Sequence, residues 1–176
     1  TLYPNILILI SMFLSLLISS FISLNDINSA ATQRQHLIRG IFFPELISAY
    51  ISSLIVISIP LVCIVLLGQY LFKLMIFENY LYISLTFLLL VSIFIFMGMA
   101  LSYLIRKESI TLLISTFILV FLVFFSGFML PIERMSDGAS LVASNSPSTI
   151  SLMAFNRIVF YGQGFDVIAD NLYKLG

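Results

Sequence analysis

Two stretches without a charged residue, 81–105 and 109–132, are separated only by Arg106-Lys107-Glu108. Each exceeds the roughly 20 residues that an α-helix needs to cross a ~30 Å hydrocarbon core. A bilayer accepts such stretches as helices, because a helix satisfies its own backbone N–H and C=O groups. Strands do not fit: neither run alternates with a period of two, and a barrel strand needs only ~10 residues. The pair therefore predicts a helical hairpin that turns on two cations within a membrane-spanning, all-α chain.

Composition agrees. Of 176 residues, 61% are hydrophobic and 9% charged, against about 25% charged in a soluble domain. Eight basic and eight acidic residues cancel, which removes any net-charge argument for nucleic acid. Cys63 is the single cysteine, so no intrachain disulfide can form; set in an apolar run, it is expected to be a small buried hydrophobe. His36 is the single histidine and has no second histidine for a metal site. An apolar segment follows Thr1 with no basic stretch before it, which is not a signal-peptide pattern. The chain reads as a fragment, or as one whose beginning is missing.

Four charge-free segments are long enough to span: 2–24, 46–72, 81–105 and 109–130. Pro60 falls inside the second and is expected to kink it. Lys/Arg bias orients the bundle. Arg34, Arg39, Arg106 and Lys107 crowd into short loops on one side. Lys73, Arg134, Arg157 and Lys174 spread over longer stretches on the other. The denser set is expected in the cytoplasm, which turns both chain ends outward. Residues 1–176 then form a single transmembrane domain.

Two polar segments remain. Residues 25–45 contain the helix-forming run from Ala30 to Arg39, which stops at Gly40. Periodicity favours an interfacial helix with its arginines on lipid headgroups, over a helix docking in a groove of a soluble partner. Residues 131–176 begin at Pro131, which ends the preceding helix. Ser146-Pro147 has the pattern of an N-cap with proline at the first helical position. The helix predicted from Ser148 to Tyr161 is apolar on most sides and too short to span, so it is expected to be re-entrant or interfacial. Its one charge, Arg157, is expected to snorkel to headgroups rather than line a pathway.

No chemistry-bearing motif stands out. There is no G-x-x-x-x-G-K-[ST] for phosphate, no C-x-x-C and no H-E-x-x-H. The predicted spans contain no Asp, Glu, Lys, Arg or His, the residues that usually mark an ion or proton path. No catalytic residue, metal ligand or cofactor site is assigned.

At residues 126–135 the chain resembles the membrane subunit of ABC-2-type transporters, in the branch of bacterial and archaeal exporters. The run Ser126-Gly127-Phe128-Met129-Leu130-Pro131-Ile132-Glu133-Arg134-Met135 looks like that family's S-G-[FI]-x-[FL]-P-[IL]-E-x-M-P after the fifth helix. Asn145-Ser146-Pro147-Ser148-Thr149 stands where the family has N-P-x-T, shifted by an inserted serine. Arg157, and then Gly162 or Gly164, fall where an arginine and a glycine follow that motif. Leu101 to Arg106 resembles the turn between the fourth and fifth helices, and Glu45 stands where a glutamate commonly opens the third. The chain departs from the pattern before the third helix. Of E-x-E-x-G-T-L-E only Thr32 matches, Tyr50 replaces the usual downstream lysine, and Ser136 replaces the final proline.

The resemblance implies a permease lacking its first and last transmembrane helices. It implies that residues 28–39 form a coupling helix, with Thr32, Arg34 and Arg39 contacting a separate ATP-binding subunit. It implies an outer re-entrant element marked by Gly127, Pro131, Glu133, Pro147 and Arg157. The expected architecture is a polytopic membrane helix bundle with four spanning helices, a cytoplasmic coupling helix and outer re-entrant or interfacial helices. The expected function is ATP-driven efflux by two permease copies in a plasma membrane, without a cofactor. A self-sufficient channel or carrier, and a membrane scaffold, are the competing classes.

Overall fold

A computed structural model describes residues 2–28, 42–72, 80–125 and 137–161. These residues form six helices and, among them, no strand: α1 (Leu2–Asn28), α2 (Phe42–Phe72), α3 (Tyr80–Ile105), α4 (Glu108–Phe125), α5 (Asp137–Ser144) and α6 (Pro147–Tyr161). The protein is a polytopic helical bundle.

Three helices are long and apolar enough to cross a membrane: Asn5–Asn28, Pro44–Gly68 and Ile83–Ile105. The fourth expected span, 109–130, is described only as far as Phe125. The helix there, Glu108–Phe125, has 18 residues and extends about 27 Å at 1.5 Å per residue. Two helices outrun their expected bounds. α1 continues past Leu24 because no glycine or proline interrupts it before Asn28. α2 starts at Phe42 rather than Leu46. Pro44 in its first turn has no N–H that the helix would need, and the charge of Glu45 there suits the N-terminal dipole. α2 is continuous through Pro60.

α1 is the central element, packing against α2, α3, α4 and α6. α3 buries two sides. One carries Ile83, Leu90 and Phe94 into a core with Ile8, Met12 and Leu16 of α1, Leu119 of α4 and Phe155 of α6. The other carries Val91, Ile95 and Met99 against Ala49 and Ile57 of α2. The Phe87 ring meets Phe155 edge to face at 5.2 Å, which fixes α6 on α3.

α2 is the least enclosed of the three long helices. Ile47, Ile51, Ile55, Ile59, Val62 and Leu66 form an exposed apolar stripe along it, a face suited to hydrocarbon rather than water. Cys63 lies on this exposed face, which corrects the expectation that it is buried. In a helix apolar all round, hydrophobicity does not distinguish the side facing protein from the side facing lipid.

Candidate functional site

The bundle is joined by a seam of small and hydroxyl-bearing residues. Ser11, Ser15, Ser19 and Ser23 recur every four residues on α1, and with Ser20 all are fully buried. Most bond back to their own helix. Ser11 donates to the Ile8 carbonyl at 2.6 Å, Ser15 to the Ser11 carbonyl at 2.6 Å, and Ser20 to the Leu16 carbonyl at 2.7 Å. Such bonds hide a hydroxyl in an apolar span with little desolvation cost.

At Ser20 the seam crosses between helices. Ser102 Oγ of α3 lies 2.9 Å from the Ser20 carbonyl and 2.9 Å from that of Gly98. Ser20 Oγ lies 3.3 Å from the Gly98 carbonyl and 3.3 Å from Ser115 Oγ of α4. Gly98 makes this approach possible: a Cβ there would stand 2.7 Å from the Leu16 carbonyl oxygen, and nearer still to Ser19 Oγ. Small residues let helices meet closely where lipid supplies no hydrophobic drive.

These contacts also set direction. Leu16 and Ser20 of α1 stand level with Gly98 and Ser102 of α3, so the two helices run parallel and their C-terminal ends share one end of the bundle. Tyr103 of α3 stands there, near Glu45 of α2 and Asp26 of α1. The connection 29–41 and the turn at Arg106-Lys107 therefore leave from the same end. Arg106 has φ 55° and donates its N–H to the Ser102 carbonyl at 3.0 Å, the left-handed close of a helix that glycine more often provides. Glu108 then opens α4.

α2 is tied to α3 by Tyr50. Its hydroxyl lies 2.7 Å from Ser92 Oγ, and its ring stacks on Phe96 with centroids 5.0 Å apart. Tyr50 thus bonds within the bundle. At the other end of the molecule α6 begins at Pro147, the first helical position that the Ser146-Pro147 pattern marks. The Ser146 carbonyl accepts the first helical bond from Ile150 at 3.1 Å, and Ser146 Oγ meets Ser148 Oγ at 2.6 Å.

Of the residues singled out from sequence, Pro147 has a described environment, and Arg157 is described only as part of the α6 backbone. Thr32, Arg34, Arg39, Gly127, Pro131 and Glu133 lie outside the described residues. The serine seam was missed. Its signal was present as serines four apart in one span and a glycine in another, the small-xxx-small pattern of packed transmembrane helices. Serine hydroxyls at the Ser20 node meet carbonyls and one another, an arrangement that joins helices.

A bundle of long apolar helices, sealed to each other by backbone-satisfied hydroxyls, defines a multi-pass membrane protein. The chain matches the family model described as ABC-2 family transporter protein over residues 1–173, and it belongs to that family. It is a permease component of an ABC transporter, a class that works in the membrane with an ATP-binding subunit. Neither the curated proteins nor the solved structures hold a significant match to it.

Proposed function

We propose that this chain is the membrane half of an ATP-driven exporter, working as a two-fold pair of permeases in the plasma membrane of a bacterium or archaeon. Family membership across residues 1–173 carries the reading. ATP is bound and hydrolysed on the partner subunit, and this chain contributes no catalytic group or cofactor. Force enters through the coupling segment, with Thr32, Arg34 and Arg39 against that subunit. The connection 29–41 leaves the same end of the bundle as the Arg106-Lys107 turn, which supports a shared cytoplasmic side under the positive-inside rule. The outer segment marked by Gly127, Pro131, Glu133, Pro147 and Arg157 closes the exit. The four spans then alternate between inward- and outward-facing packings.

The test is to co-express the full-length protein with its ATP-binding subunit and introduce Arg34→Glu together with Arg39→Glu. Reversing two charges at a docking surface is expected to weaken assembly and lower transport-linked ATP hydrolysis about tenfold or more. Unchanged assembly and hydrolysis would overturn the coupling assignment. Substrate-dependent currents in a bilayer without ATP would instead establish a channel.

A further inference from the structure

The three helices that meet at Ser20 are not joined equally. α1 and α3 approach backbone to backbone at Gly98, and Ser102 bridges the Ser20 and Gly98 carbonyls at 2.9 Å each. At the same node α4 is joined by the longer contact between Ser115 Oγ and Ser20 Oγ, 3.3 Å. Losing that contact leaves little unsatisfied. Ser20 keeps its 2.7 Å bond to the Leu16 carbonyl. Ser115 can turn to the carbonyl four residues back, as Ser15 and Ser20 do on α1. The link from α3 to α4 is two residues long, Arg106-Lys107, and Arg106 has φ 55°. α4 also presents Leu113, Phe117 and Phe124 outward, each at least half exposed.

We propose that Ser20 and Ser115 form a reversible latch. When it opens, α4 swings away from a fixed α1–α3 pair about Arg106. Ser115 exchanges a bond between helices for one within α4 while Ser20 keeps its own, and Leu119, buried against α1, α3 and α6, passes from protein to lipid without a hydrophobic penalty, so both packings can be populated, as a two-state element requires. The far end of α4 moves most, because the pivot is at its N-terminus.

Pulsed spin–spin distance measurements on the full-length protein in nanodiscs, in a Cys63→Ala background, test this without ATP or a partner subunit, and so independently of the export reading. Labels at Leu88→Cys and Phe124→Cys report α3 against α4. Labels at Ile6→Cys and Leu88→Cys report α1 against α3. The α3–α4 pair is expected to show two distances. Ser20→Ala should raise the ratio of the longer to the shorter about threefold, the factor for the ~0.6 kcal/mol average of an interhelical hydrogen bond in a membrane. The α1–α3 pair should keep one distance throughout. A single α3–α4 distance unmoved by Ser20→Ala, or equal broadening of both pairs, overturns the latch. If Ser20→Ala fails to fold, Ser115→Ala removes the same contact from the other side.

Discussion

Ser102 on α3 shares its hydroxyl between the carbonyl oxygen of Ser20 on α1 and that of Gly98 on its own helix, at 2.9 Å each. One proton thus serves a bond within a helix and a bond between helices. Ser102→Ala removes the inter-helix part while the Ser20 carbonyl keeps its α-helical acceptor role. The expected loss is about 0.6 kcal/mol, and not more than ~1.7 kcal/mol. Thermal unfolding in detergent, scanned against wild type, measures it.

Gly98→Ala should cost more than Ser102→Ala. The added methyl would overlap the Leu16 carbonyl oxygen, which as main chain cannot rotate aside. Parting α1 from α3 to admit it is expected to cost ~1–3 kcal/mol, the range for overpacking. Pairing it with Ser19→Gly, which clears the nearer side-chain obstacle, should recover only part of the loss. Full recovery in the same unfolding assay would place the conflict at the Ser19 hydroxyl alone.

Arg106 closes α3 in a left-handed conformation that costs an L-residue roughly 1–2 kcal/mol. Arg106→Gly relieves that strain and is expected to stabilise the folded chain by up to ~1 kcal/mol, since glycine loses more chain entropy on folding. Arg106→Val should destabilise, because a branched Cβ is least tolerated at φ 55°. The opposite signs of the two substitutions, read as shifts in unfolding midpoint, check the assignment.

Tyr50 separates polar from stacking contributions at the α2–α3 contact. Tyr50→Phe loses the 2.7 Å bond to Ser92 and keeps the ring on Phe96. Ser92 retains the Leu88 carbonyl at 2.7 Å, so the expected cost is only ~0.5–1 kcal/mol. Tyr50→Ala loses both contacts and should cost at least ~1 kcal/mol more. A double-mutant cycle with Ser92→Ala isolates the hydroxyl pair.

The spans were legible from sequence because length and freedom from charge are one-dimensional properties. Arg106-Lys107-Glu108 marked a turn that falls between α3 and α4, and Ser146-Pro147 marked the start of α6. The ends of α1 and α2 were less legible. Charge put Asp26 and Glu45 in a polar connection, although the resemblance set Glu45 at a helix opening; both sit in helical turns at one end of the bundle. Which side of each helix faces protein was not legible at all. Cys63 and Ser53 both lie within apolar α2, and the first is exposed while the second is fully buried. Hydrophobicity decides burial against water, but not burial against lipid. The seam at Ser20, Gly98 and Ser102 depends on packing fit, which appears only when the helices are set side by side.

The inward-bonded hydroxyls of α1 bear on how the chain is made. Ser11, Ser15 and Ser20 each reach a carbonyl of their own helix, so α1 can enter the bilayer as an isolated rod before α3 and α4 have left the ribosome. The residues that later join it to its neighbours ask nothing of them during insertion. Assembly then begins from a helix already at home in lipid, and Ser20 meets Gly98 and Ser115 while keeping its bond to Leu16.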